Sequence, residues 1–245
     1  MSKKNRQEIE KTTVPTEFVC VIDRSGSMTP IRDDAIGGFN TFLKEQQGMQ
    51  GAAFLTMVQF DHEYITVYDG EPIENVKPLD HSSYIPRGMT SLYDAIGRAI
   101  TTVRERYEKP GADPARIMVV ILTDGQENNS HEYNRAQITD MIKTCTDTLK
   151  WAFLYLSASP SAFADGQCIG LGSANTINFS HSHVGAAAVG ATYSMAAQDF
   201  RNTGSIGTAQ SYAVRADPRG ENLSVGGDLS VNKNLSVDKK KHSVQ

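Results

Sequence analysis

A chain of 245 residues with 39% hydrophobic and 21% charged side chains can build one large domain around its own core. Its net charge of −4 is uneven: residues 1–15 and 204–245 each carry +2, leaving −8 on the body between them, which argues against nucleic acid as the main partner. No window approaches the roughly 18 consecutive apolar residues of a membrane span. The basic start, Met1-Ser-Lys-Lys-Asn-Arg6, runs into polar sequence and does not read as a signal peptide. Three scattered cysteines, Cys20, Cys145 and Cys168, fit thiols in a reducing compartment better than a disulfide frame. The expected setting is cytoplasmic.

Residues 1–15 are polar and aperiodic, and read as a loose arm. Glu17 to Asp23 is a short apolar run without surface-type alternation, as expected of a strand buried on both faces. Helical spacing follows at Ile31, Ala35, Ile36, Phe39, Phe42 and Leu43, starting near Thr29 or Pro30 and stopping at Gly48. Ala52 to Phe60 and Tyr64 to Tyr68 read as a hairpin. Residues 69–90 form a long loop with at most one helical turn, a length that points to a functional surface. Leu92 to Tyr107 carries a regular helical stripe, with Ser91 and Asp94 placed as a capping box.

Ile117 to Asp124 is a second buried strand ending in a carboxylate. A helix marked by Ile138, Met141, Ile142, Cys145 and Leu149 comes next, then a strand from Trp151 to Leu156. Ser161 to Cys168 is expected to be a short helix, Thr176 to Phe179 a weak strand, and Val184 to Phe200 a final helix. Buried strands alternating with amphipathic helices predict an α/β fold: a mostly parallel central sheet with one antiparallel edge strand and helices on both faces. Ligands of such sheets bind at the carboxyl ends of the strands. Asp23 and Asp124 lie at such ends, and Thr90 lies in a loop entering a helix.

These pieces, Asp23-x-Ser25-x-Ser27, Thr90 and Asp124, offer two carboxylates and three hydroxyls, the hard oxygens that a divalent cation such as Mg²⁺ takes. Each also has an ordinary reading. Ser25 and Ser27 could cap the first helix, Thr90 or Ser91 the next, and Asp124-Gly125 could be a turn. The combination, in the contexts Val21-Ile-Asp-Arg-Ser-Gly-Ser-Met28, Gly88-Met-Thr-Ser-Leu-Tyr-Asp-Ala-Ile96 and Ile121-Leu-Thr-Asp-Gly-Gln-Glu-Asn128, resembles the metal-ion-dependent adhesion site of von Willebrand factor A-type (vWA, integrin I-like) domains. The resemblance covers about residues 16–203 and suits a bacterial or phage-type intracellular member with a Rossmann-like sheet. It implies that Asp23, Ser25, Ser27, Thr90 and Asp124 hold Mg²⁺, with Mn²⁺ or Ca²⁺ as substitutes. It also implies an open coordination position for a Glu or Asp carboxylate on a partner protein.

Enzyme readings lack residues. A haloacid dehalogenase-type phosphatase needs a second Asp where Ser25 stands. Gly170-Leu-Gly172 lacks the rest of a dinucleotide fingerprint. No GxxxxGK[ST] phosphate loop and no GxSxG elbow occurs in the sequence. His181 with His183, His62 with Glu63, and His131 with Glu132 read as solvated loop residues. The expectation is a non-enzyme.

Residues 204–220 read as a linker, and 221–245 as a tail with a period of six: Asn222-Leu-Ser-Val225, Asp228-Leu-Ser-Val231 and Asn234-Leu-Ser-Val237. Gly226-Gly227 and Asn232-Lys233 are plausible two-residue turns. The units resemble, weakly, repeats of phage tail-fibre and bacterial surface β-structures. A disordered basic tail competes with a strand-forming segment. The main expectation is a metal-dependent protein-binding module with no nucleic-acid or membrane partner. The alternative is a structural or assembly protein, virion-associated in one version, that forms a homo-oligomer through its C-terminal tail.

Overall fold

The computed structural model describes residues 14–180 and 182–225. The elements run in the predicted order. β1 is Thr16–Asp23 and leads through a 3₁₀ turn, Gly26–Ile31, into α1, Arg32–Gln47. The hairpin of β2 (Ala53–Phe60) and β3 (Tyr64–Pro72) follows, then α2 (Leu92–Tyr107), β4 (Arg116–Thr123), α3 (Arg135–Asp147) and β5 (Ala152–Ser157). The chain closes with α4 (Ala162–Cys168), β6 (Thr176–Phe179), α5 (His183–Thr203), α6 (Ala209–Ala216) and β7 (Leu223–Ser224).

The sheet order is β3-β2-β1-β4-β5-β6-β7. The strands from β2 to β6 are parallel, and β3 is antiparallel at one edge. The mostly parallel sheet with an antiparallel edge strand is as expected. At the far edge β7 adds a short antiparallel pairing to β6. Strand side chains alternate between two cores because the pleat has a period of two. Phe18, Cys20 and Ile22 of β1 join the core under α1, α5 and α6, while Val19 and Val21 join the core under α2 and α3.

The sheet has its apolar runs because both faces are covered. On the first face Gly38 of α1 and Gly190 of α5 meet: a Cβ on Gly190 would lie 2.9 Å from the Gly38 Cα. That close approach stacks Phe42 on Tyr193, ring centroids 3.8 Å apart. Tyr193 in turn reaches the Cys20 thiol of β1, 2.8 Å away.

Two sequence expectations change. Residues 204–220 are not a plain linker, since α6 lies within them and buries Ala209, Tyr212 and Ala213. Small residues disguised this helix, whose apolar stripe is only two turns long. Ser91 and Asp94 do not form a capping box. Ser91 makes no side-chain cap bond, and Asp94 instead accepts the backbone N–H groups of His131, Glu132 and Tyr133. The first unit of the tail repeat contributes β7, whereas the second and third units, like residues 1–13 of the expected arm, lie outside the described residues. Among the described residues no helix is long and apolar enough to cross a membrane.

Candidate metal centre

Three connections at the carboxyl end of the sheet supply the site. β1 ends at Asp23, whose side chain is fully buried. Its Oδ1 accepts the Ser25 N–H at 2.6 Å, folding the chain back over the strand end. Ser25 and Ser27 are not helix caps. Ser25 precedes the 3₁₀ turn without a capping bond, its Oγ lies 3.0 Å from the Ser27 Oγ, and the Ser27 hydroxyl donates to Asp124 Oδ1 at 2.7 Å. The first and third loops are thereby joined through side chains.

The loop before α2 delivers Thr90. Its length is controlled from outside. Asn40 clasps Leu79 at both N–H and C=O, Gln59 donates to the Ser83 carbonyl, and Tyr84, fully buried, donates its hydroxyl to the Asp23 carbonyl at 2.5 Å. Backbone bonds then tie this loop to the first one: Gly26 N–H to Gly88 O at 3.2 Å and Arg87 N–H to Arg24 O at 2.7 Å. Asn128, from the third loop, holds Thr90 twice. Its side-chain oxygen accepts the Thr90 N–H at 3.0 Å, and its own N–H donates to the Thr90 carbonyl at 3.1 Å. Beside the site, the fully buried Asp61 pairs with both Arg24 and Arg87, each at 3.1 Å.

The five predicted residues come together. A Cβ placed on Gly125 would lie 3.1 Å from Thr90 Oγ1, 3.3 Å from Ser27 Oγ and 3.7 Å from Asp23 Oδ2. One point beside the glycine backbone of the third loop is thus bounded by oxygens from the first and second loops, with Asp124 of the third loop and Ser25 of the first a single hydrogen bond further on. Ser25, Thr90 and Asp124 are buried and Ser27 is exposed, so the cluster opens to solvent on one side. No group of three or more His, Cys, Asp or Glu side chains that could hold a metal occurs among the described residues. The donor set here is instead two carboxylates with hydroxyls.

Asp23 registers that environment. Burial, reinforced by the neighbouring Asp124 charge, pushes its carboxyl up to about 6, against the opposing hydrogen bonds from Thr123 and Ser25. Two carboxylates brought together out of water raise the free energy of the doubly ionised state. A cation relieves it. Five oxygen donors with an open side suit a small divalent ion that keeps part of its water shell, as Mg²⁺ does.

Several participants were not foreseen. The Thr123 hydroxyl donates to Asp23 Oδ2 at 2.6 Å, and its place directly before Asp124 is the signal that could have found it. Tyr84 and Asn128 gave no local signal, because their roles depend on how remote loops are packed. His183 opens α5 and His181 lies outside the described residues. His62, Glu63, His131 and Glu132 line a polar hollow beside the centre that also holds Asp94 and Arg98.

No protein-family model and no curated protein matches the sequence. Solved structures with a similar fold include a von Willebrand factor type A protein from Catenulispora acidiphila (TM-score 0.39, 18% identity, covering 60% of this chain and 33% of that one). Others are the conserved hypothetical protein BatB from Bacteroides thetaiotaomicron (0.39, 16%, 58% and 66%) and the ArnB paralog VWA2 from Sulfolobus acidocaldarius (0.37, 19%, 60% and 36%). The chain spans about a third of the first and last of these and 66% of the second. Scores this low decide neither family nor function. The architecture rests on the strand order itself.

Proposed function

We propose that the protein is a metal-dependent protein-binding module of vWA type. Asp23, Ser25, Ser27, Thr90 and Asp124 would hold Mg²⁺, and the partner would offer a Glu or Asp carboxylate. The observation that carries this reading is the meeting of three separate loops beside Gly125, where Asp23, Ser27 and Thr90 oxygens border one space and Ser27 links it to Asp124. The bound cation supplies a Lewis-acidic centre for an anionic oxygen. This chain's own residues shape that centre. Thr123 and the Ser25 N–H fix the two Asp23 oxygens, Ser27 orients Asp124, and Asn128 sets the height of Thr90. Hydroxyls outnumber carboxylates, so the formal ligand charge is only −2 and the ion retains affinity for one more anion.

Binding, not turnover, is the activity proposed. Isothermal titration with Mg²⁺ and Mn²⁺ should give one site in the wild-type chain and none in Asp23→Ala. Equal binding by both proteins would overturn the metal assignment. Steady hydrolysis of simple phosphoesters in the presence of Mg²⁺, abolished in Asp23→Ala, would overturn the non-enzymatic one.

A further inference from the structure

At the amino end of β5, the end of the sheet opposite the metal centre, a strand is missing. β6 pairs with β5 only along Tyr155, Leu156 and Ser157. The residues that would continue that register against Ala152 to Leu154 are wound instead into a 3₁₀ turn, Ser173–Asn175. Asn175 closes the open strand edge by donating its side-chain amide to the Phe153 carbonyl at 3.0 Å. On the far side α5 ends at Gly204, left-handed with φ 77°, and the chain turns away. The gap left between these segments is a cavity of about 350 Å³, within the range of roughly 300–1,000 Å³ common to small-molecule sites. Its walls draw on both cores: Trp151, Phe153 and Leu171 come from one, Phe200 and Ile206 from the other.

Lys150 is the one charged residue of this lining, and no carboxylate belongs to it, although the body of the chain carries −8. A second cation stands behind the wall, since a Cβ on Gly204 would lie 3.0 Å from the Arg116 Nε. The backbone of Lys150 is itself unusual. With φ 60° it is the only non-glycine residue of positive φ among the described residues. The bend carries the chain out of α3 into β5 and lets the Trp151 N–H reach the Cys145 carbonyl at 3.0 Å. Glycine is the residue that such a bend favours. The lysine found there bears the strain and sets an ammonium at the cavity. One of its N–H donors goes to the Asp147 carbonyl at 2.7 Å, and an ammonium carries three.

We propose that this cavity binds a small aromatic monocarboxylic acid, with the ring among Trp151, Phe153, Phe200 and Ile206 and the carboxylate on Lys150. Three aromatic side chains in the wall favour a flat ring. A single cation in an otherwise uncharged lining favours one negative charge, held by a charge-assisted hydrogen bond. A small molecule suits the gap better than an added peptide strand, because Asn175 already occupies the carbonyl that a strand would use. The site lies outside the metal centre and does not depend on it.

Trp151 is the only tryptophan of the chain and forms part of the cavity wall, so its emission reads occupancy directly. Titration of the full chain with phenylpropionate, in EDTA, should give a saturable change in that emission and one site by calorimetry. Phenylpropionamide, of the same shape without the charge, should bind at least tenfold more weakly, and hexanoate, charged but without a ring, should also bind more weakly. Lys150→Gly keeps the bend free of strain. It should weaken phenylpropionate binding at least tenfold without lowering the melting temperature, while Lys150→Arg should retain binding. No saturable response, equal binding of the amide, tighter binding of hexanoate, or undiminished binding by Lys150→Gly would overturn the proposal.

Discussion

Gly125 and Asp23 carry the sharpest consequences at the scale of single residues. The space beside Gly125 is bounded by Thr90, Ser27 and Asp23 oxygens, so Gly125→Ala puts a methyl group where a cation would sit. Calorimetry should show Mg²⁺ affinity weakened at least tenfold, about 1.4 kcal/mol, with the far-ultraviolet circular dichroism unchanged. Asp23 gives a pH dependence. Its carboxyl is raised to about 6 in the folded chain from an ordinary 3.8, so between those values the folded state holds more proton than the unfolded state. Stability of the metal-free protein therefore falls as pH rises from about 4 to 6 and levels off above. The difference is on the order of 2–3 kcal/mol. Denaturant titrations in EDTA should show this slope in the wild type and not in Asp23→Asn. If the slopes coincide, the carboxyl is not held as the geometry indicates.

Secondary elements contribute through a few contacts that lock helices to the sheet. Phe42 of α1 lies edge-on to Phe18, 5.2 Å away, and stacks on Tyr193 of α5. Phe42→Ala would open a cavity beneath two helices whose backbones already touch at Gly38 and Gly190. The expected loss is about 3–5 kcal/mol in urea unfolding. At the far edge, Asp217 replaces missing strand partners by accepting two backbone N–H groups. Asp217→Ala should cost roughly 1–2 kcal/mol locally. It should be read as faster hydrogen exchange at Asn222 and Leu223 with β1 and β4 unaffected.

For the molecule as a whole, a cation bound at the carboxyl end of the sheet would couple folding to ligation. The candidate centre joins three loops that are far apart in sequence, so a cation bound there would stabilise the native state by mass action. At a hundredfold excess over its dissociation constant the gain is about 2.7 kcal/mol. A chain of this size should then melt roughly 5–10 °C higher. The rise should appear with Mg²⁺, vanish on addition of EDTA, and be absent in Asp23→Ala.

The order of elements and the mostly parallel sheet were legible in the sequence because buried strands and amphipathic helices carry different periods. Val19 and Val21 alternate with Cys20 and Ile22 between two covered faces, while α2 repeats its apolar stripe every turn. The gathering of Asp23, Ser27 and Thr90 beside Gly125 was legible too, since Asp23 and Asp124 follow apolar runs that end at the same sheet edge. What the sequence could not determine was how side chains are shared between segments. Ser91 and Asp94 have capping-box spacing, yet Asp94 spends its oxygens on the loop from His131 to Tyr133. Tyr84, Asn128 and Thr123 became part of the site only when the loops folded against each other. Helix α6 escaped because its stripe spans only eight residues in a stretch rich in Gly, Ser and Ala, and its burial depends on packing against α5 and β6. Local periodicity is a property of consecutive residues and survives in the sequence. Hydrogen-bond partnership and burial against a remote surface exist only once the chain has closed on itself.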